Sequence, residues 1–176
     1  MEERTEEAFA FDEKLTAVGR KLQPGEVAPD FCLDYLDLIE MTIQSARLKD
    51  SSGMVRLLNV VNSLEKPVCH RVTRRWEERG SELPAGVCLY TVSMDQPLAQ
   101  AHWQANEGVM HQLLSAYRSE QFGLDYGVLL KEWLLLQRAV FVIDRDNYIA
   151  YAEYVADQFG EPDYAAAMEV ARQRSL

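Results

Sequence analysis

Cys69 is the residue whose type and placement most clearly promise chemistry. It stands two positions after Pro67 and three after Lys66, at the end of the stretch Leu57-Leu58-Asn59-Val60-Val61-Asn62-Ser63-Leu64-Glu65-Lys66-Pro67-Val68-Cys69. The apolar run 57–61 reads as a buried strand, and Asn62 and Ser63 as turn formers. Pro67 has the fixed φ of a first helical residue, and the helix is expected to continue to about Arg79. A cysteine in that first turn faces backbone N–H groups with no intrahelical acceptor, at the positive end of the helix dipole. Both favour a thiolate, the form in which sulfur acts as a nucleophile.

Lys66 brings a cation next to this sulfur. Five of the eighteen basic residues fall between positions 66 and 79: Lys66, Arg71, Arg74, Arg75 and Arg79. With Glu77 and Glu78 interleaved, the arginines read as a solvated helix face, which leaves Lys66 as the cation of interest. Cys32 and Cys88 lie in an extended segment and a buried strand, where packed, inert thiols are the rule. Three cysteines at unrelated spacings make neither a disulfide framework nor a zinc pattern, and no metal or cofactor is expected. His70 follows Cys69 but projects about 100° away round the helix. His102 and His111 lack ligand spacing, so all three histidines read as surface or packing residues. Trp76, Trp103 and Trp133 read as packing at core edges or an interface.

The elements that must position Cys69 follow in chain order. Residues 8–19 read as a β-hairpin around the turn-like Asp12-Glu13-Lys14, with 1–7 as a flexible acidic N-terminus. Extended segments are expected from Phe31 and from Met41. They precede the strand at 54–61, the Cys69 helix, a strand at 87–93, and a helix from Pro97 to about Asn106 capped by Asp95. A strand at 110–117, a short helix at 119–126, a strand pair at 138–155 closed by Arg145-Asp146-Asn147, and an acid-started helix from Glu161 complete the chain. Buried strands alternating with helices require a sheet covered on both faces. The fold class is therefore α/β, a three-layer sandwich with a mixed central sheet and an N-terminal β-hairpin, in a single domain over 1–176.

A chain of 176 residues with 48% hydrophobic and 26% charged residues can bury a proper core. Its net charge of −10 argues against nucleic acid or an anionic membrane as a general partner. The acidic start does not read as a signal or transit peptide, no apolar run reaches membrane-spanning length, and the simplest compartment is a reducing cytoplasm.

With these pieces placed, the sequence resembles the thiol peroxidase branch of the peroxiredoxins, which have a thioredoxin-like fold. The resemblance runs through Ala28-Pro29-Asp30-Phe31, Leu58-Asn59, Val68-Cys69, Ser93-Met94-Asp95-Gln96-Pro97-Leu98-Ala99-Gln100, Asn106-Glu107-Gly108, Tyr126-Gly127-Val128, Arg138 and Glu161-Pro162-Asp163-Tyr164. It implies that Cys69 is the peroxidatic cysteine and that Arg138 stabilises its thiolate and the leaving oxygen. The backbone around Val68 would hold the peroxide, with Lys66 and Asn62 at the remaining substrate-binding positions. It also implies a homodimer.

Three positions depart from the family. Asn62 stands where the family has a proline that shields the loop, and Lys66 where it has a threonine. An ammonium donates hydrogen bonds but cannot accept one, as that hydroxyl does. Gln104 occupies the usual position of the resolving cysteine, so an oxidised Cys69 would need an external thiol. The expectation is a one-cysteine peroxidase acting on hydrogen peroxide or alkyl hydroperoxides. The alternative is a weakened or non-catalytic relative serving as a redox sensor or interaction module. A thioredoxin-like disulfide exchanger fits less well, since Val72 stands where a Cys-x-x-Cys motif needs its second cysteine.

Overall fold

The computed structural model describes residues 1–176. Strand β1 (Glu3–Ala10) pairs with β2 (Glu13–Val18) in the N-terminal hairpin. This corrects the expectation of a flexible 1–7. Ala8, Ala10, Leu15 and Ala17 bury together, and the guanidinium of Arg4 donates to the carbonyls of Gly19 and Gly127. An acidic outer face is solvated while the inner face is locked, which the charge content alone does not reveal.

Strands β3 (Cys32–Asp37) and β4 (Thr42–Arg47) form the next hairpin, and β5 (Val55–Val60) is buried at every position. Helix α1 (Pro67–Gly80) follows, then β6 (Val87–Ser93), α2 (Pro97–Glu107), β7 (Gln112–Ser115) and the short α3 (Gln121–Asp125). The two-residue strands β8 (Leu129–Leu130) and β9 (Leu135–Leu136) are not anticipated from the leucine-rich sequence. They extend the N-terminal hairpin into a four-stranded sheet. The chain closes with β10 (Ala139–Ile143), β11 (Ile149–Tyr154) and α4 (Tyr164–Ser175).

The main sheet has the order β11-β10-β5-β6-β7-β3-β4. It is mixed: β5, β6 and β7 run parallel, and the outer pairings are antiparallel. Alternate residues of β5 point to opposite cores. Val55 and Leu57 pack with α1 and α4, whereas Leu58 and Val60 pack with Phe122 of α3 and Tyr126. The architecture is the expected three-layer sandwich, with a parallel centre that must be covered on both faces.

Two local details differ from expectation. Gln96, not Asp95, is the N-cap of α2. The Asp95 carboxylate instead accepts from Ser63 Oγ at 2.7 Å, Ser93 Oγ at 2.7 Å and the Leu64 amide at 2.9 Å. It thereby ties down the turn between β5 and α1. Cys32 is exposed rather than packed, and Cys88 is half-buried with its sulfur 3.4 Å from Met54 Sδ.

Candidate active site

Pro67 opens α1, so Val68 and Cys69 occupy its first turn, and no side chain caps that end. Their amides have no carbonyl one turn earlier in the helix to accept them. The Cys69 side chain points inward, fully buried with Val61, Leu64, Trp103, Val109 and Leu113.

The register of the sheet brings Arg138 to the same place. Val60 pairs with Ala139 across β5 and β10, so the residue just before β10 arrives at the turn where β5 gives way to α1. Arg138 is fully buried and places Nη2 3.2 Å from Cys69 Sγ. Its Nε and Nη1 have no protein partner, and it has no carboxylate in an ion pair. A buried, unbalanced guanidinium costs several kcal/mol. The group in contact with it that can carry a balancing negative charge is the Cys69 sulfur.

Asn62 is fully buried beside them. Its Nδ2 donates to the Leu136 carbonyl at 2.6 Å and to Gln158 Oε1 at 3.0 Å. With the amide nitrogen committed, Oδ1 faces Cys69 Sγ at 3.9 Å and accepts from the thiol when it is protonated.

Lys66 is half-buried at the mouth of the site. Its Nζ lies 3.6 Å from the centroid of the Trp133 ring, and Trp133 Nε1 donates to Glu13 Oε1 at 3.2 Å. Burial lowers the Lys66 ammonium below the usual lysine range. The charge of Cys69 opposes this, Arg138 adds to it, and Glu13 opposes it. Lys66, Pro67, Val68, Gln158 and Phe159 line a pocket of about 260 Å³ at the start of α1.

Of the residues singled out in the sequence, the structure places Arg138 and Asn62 against the Cys69 sulfur, Val68 beside it in the first turn of α1, and Lys66 at the N-cap with its Nζ on Trp133. It adds Gln158 and Trp133, which carry no sequence signal: a glutamine in a polar loop and one tryptophan among three. No histidine is a hydrogen-bond partner of the Cys69 sulfur or the Arg138 guanidinium. His70 Nδ1 accepts from Trp103 Nε1 at 3.3 Å and its Nε2 pairs with Glu107 at 3.2 Å. No group of three or more His, Cys, Asp or Glu side chains converges as a metal site.

Residues 24–152 match the AhpC/TSA family. The chain belongs to that family. It is 42% identical over 159 residues to the thiol peroxidase of Streptococcus sanguinis, covering 90% of this chain and 94% of that one. It is 40% identical to the thiol peroxidase of Halalkalibacterium halodurans, covering 90% and 92%. Among solved structures it superposes on a peroxiredoxin-like protein from Aquifex aeolicus with a TM-score of 0.83 at 24% identity, covering 98% and 99% of the two chains. The thiol peroxidase of Chromobacterium violaceum gives 0.80 at 23% identity, covering 94% and 95%. The thioredoxin-like sandwich of the AhpC/TSA proteins is therefore this chain's fold, and the strand–turn–helix with Cys69 is its centre.

Proposed function

We propose that this protein is a thiol-dependent peroxidase that reduces hydrogen peroxide or alkyl hydroperoxides at Cys69. The observation that carries this reading is the buried Arg138 Nη2, 3.2 Å from Cys69 Sγ and without a carboxylate partner. The Cys69 thiolate attacks the terminal peroxide oxygen, forming an S–O bond as the O–O bond breaks. The attacked oxygen keeps its hydrogen, so Cys69 becomes a sulfenic acid, while the leaving alkoxide or hydroxide takes up a proton from water and departs as alcohol or water. Arg138 offers two unpartnered donors, Nε and Nη1, for the charge that develops on the leaving oxygen. The Val68 and Cys69 amides at the open end of α1 supply further donors, while Lys66 and Asn62 border the substrate.

Turnover follows a one-cysteine route. Gln104, at the usual place of the resolving cysteine, instead donates to the His111 carbonyl at 2.8 Å. An external thiol attacks the sulfenic acid, releasing water and leaving a mixed disulfide. A second thiol reduces that disulfide and restores Cys69. The setting we infer is a reducing cytoplasm, with a second copy of the chain as a dimer partner. No helix is long and apolar enough to cross a membrane.

A second reading is a weakened or non-catalytic redox sensor, favoured by Lys66 occupying the face of Trp133 instead of offering an acceptor near the sulfur. Stopped-flow oxidation of Cys69 by hydrogen peroxide and cumene hydroperoxide separates the two. A rate several orders of magnitude above that of a free thiol at equal pH is expected. A rate equal to the free thiol would overturn the peroxidase reading and favour the sensor.

A further inference from the structure

Gln158 lies beyond β11, in no helix or strand, yet it is only 2% exposed. Its Oε1 accepts from the Arg138 amide at 2.9 Å and from Asn62 Nδ2 at 3.0 Å. Its Nε2 donates to the Val155 carbonyl at 2.8 Å and the Ala156 carbonyl at 3.0 Å. Its own carbonyl accepts from Arg138 Nη2 at 3.1 Å, the nitrogen that also faces Cys69 Sγ. On the other side of Gln137, the Leu136 carbonyl is held by Asn62 at 2.6 Å. Asn62 and Gln158, bonded to each other, therefore grip the backbone on both sides of position 137.

This grip matters because the guanidinium is otherwise poorly held. Its hydrogen bonds all run through Nη2, to the sulfur and to the Gln158 carbonyl, while Nε and Nη1 are free. With every hydrogen bond of the guanidinium made by Nη2, its aim depends on where the Arg138 backbone and the Gln158 carbonyl sit. Both of those depend on the Gln158 side chain, which anchors its own segment through Val155 and Ala156 and the arginine through its amide.

We propose that Asn62 and Gln158 act as one positioning unit that aims the Arg138 guanidinium at the Cys69 sulfur and the peroxide bound to it, a role that rests on the peroxidase reading of the site. Neither residue needs to exchange a proton with the substrate. Their effect is to hold a fork of donors where charge develops, a geometry in which small displacements lose much of the rate.

The test uses the full chain with Gln158→Met and Asn62→Leu, singly and together. Oxidation of Cys69 by hydrogen peroxide is followed by stopped flow, alongside alkylation of the same thiol by iodoacetamide over a pH series and urea unfolding. Alkylation needs the thiolate alone, whereas peroxide cleavage also needs the aimed donors. Each single variant is expected to slow peroxide oxidation, relative to alkylation, by about tenfold or more. The double variant is expected to be no slower than the slower single one, because both changes disable one unit.

Additive losses, an unchanged ratio of the two rates, or losses that track only the unfolding midpoint would overturn the positioning role. A wild-type protein no faster than a free thiol overturns the peroxidase reading, and the positioning role with it. A fast wild type with unaffected variants overturns the positioning role alone.

Discussion

The Lys66 ammonium lies 3.6 Å from the centre of the Trp133 ring, and the hydrogen-bond partners of the Cys69 sulfur are Asn62 and Arg138, not Lys66. A cation over an aromatic face at a partly desolvated site is worth roughly 0.5–2 kcal/mol. That contact and the neighbouring Glu13–Trp133 hydrogen bond draw the lysine towards the N-terminal hairpin.

Lys66→Thr follows directly. The substitution removes the cation–π contact and supplies a short hydroxyl that can both accept and donate beside the sulfur. Peroxide oxidation of Cys69 is expected to rise by about tenfold, the range in which one well-placed hydrogen bond acts on a rate. Stability is expected to fall by about 1 kcal/mol from loss of the ring contact. Stopped-flow oxidation and urea unfolding check the two effects; a slower variant would mean that the Lys66 charge itself serves the reaction.

Arg138 should separate activity from stability. Replacing it with methionine removes the charge at the sulfur and the free donors, so peroxide oxidation is expected to fall about 10²- to 10³-fold. The same change removes a buried guanidinium with no carboxylate partner, and an apolar side chain of similar length is well tolerated there. Unfolding stability is therefore expected to hold or rise while activity collapses. Arg138→Lys keeps the charge but not the planar fork, and should lie between the two. A methionine variant that loses stability and activity together would make Arg138 a structural residue.

Much of this site is legible in the sequence because its parts are local. The run 57–61, the turn at Asn62 and Ser63 and the proline at Pro67 specify a strand, a turn and a helix start without reference to the rest of the chain. That Arg138 meets Cys69 is not local. It depends on the antiparallel register of β5 and β10; the family resemblance implies that the two residues meet, and composition does not. Gln158 carries no local signal for the same reason: a glutamine in Asp157-Gln158-Phe159-Gly160 reads as solvated loop until the fold shows that it spans three separate segments. The N-terminus misled through its charges. Glu2, Glu3, Glu6 and Glu7 suggest a loose tail, but the inward residues Arg4, Ala8 and Ala10 are buried only once β2 and Gly127 are in place. The strands β8 and β9 are two residues long, too short to show a period.

His111 predicts how stability responds to acid. Its Nδ1 donates to Glu77 Oε2 at 2.6 Å and its Nε2 accepts from Thr91 Oγ1 at 2.8 Å, which in turn accepts from Asn59 Nδ2 at 3.0 Å. In this arrangement the neutral ring uses both nitrogens, one as donor and one as acceptor. Burial lowers the His111 imidazole below its usual range, although Glu77 pulls the other way. The unfolded chain therefore binds a proton here before the native protein does. The contribution is complete above the unfolded value of about 6.5 and is lost as pH falls from there towards the native value, by at most ~1.4 kcal/mol per pH unit. Burial raises the Glu77 carboxyl, but the amide and ring of His111 outweigh it and leave it below the usual range. Its loss therefore falls at lower pH than that of the histidine. Urea unfolding from pH 8 to 5 should show a decline below about 6.5 that His111→Gln removes. An identical decline in the variant would place its origin elsewhere.

The one-cysteine route makes a prediction of mass. With Gln104 bonded to the His111 carbonyl, Cys32 exposed on β3 and Cys88 half-buried on β6, neither remaining cysteine stands at the resolving position. One equivalent of peroxide should therefore add a single oxygen to the chain, trapped by dimedone at Cys69, rather than remove two hydrogens as an intramolecular disulfide would. The Cys32→Ser and Cys88→Ser variants should turn over peroxide with an external thiol as fast as the unaltered protein, whereas Cys69→Ser should be inactive. Turnover should also depend on the concentration of that thiol, because no internal sulfur competes with it for the sulfenic acid. A disulfide-linked peptide pairing Cys69 with Cys32 or Cys88, formed faster than the external thiol reacts, would replace the one-cysteine route with a two-cysteine one.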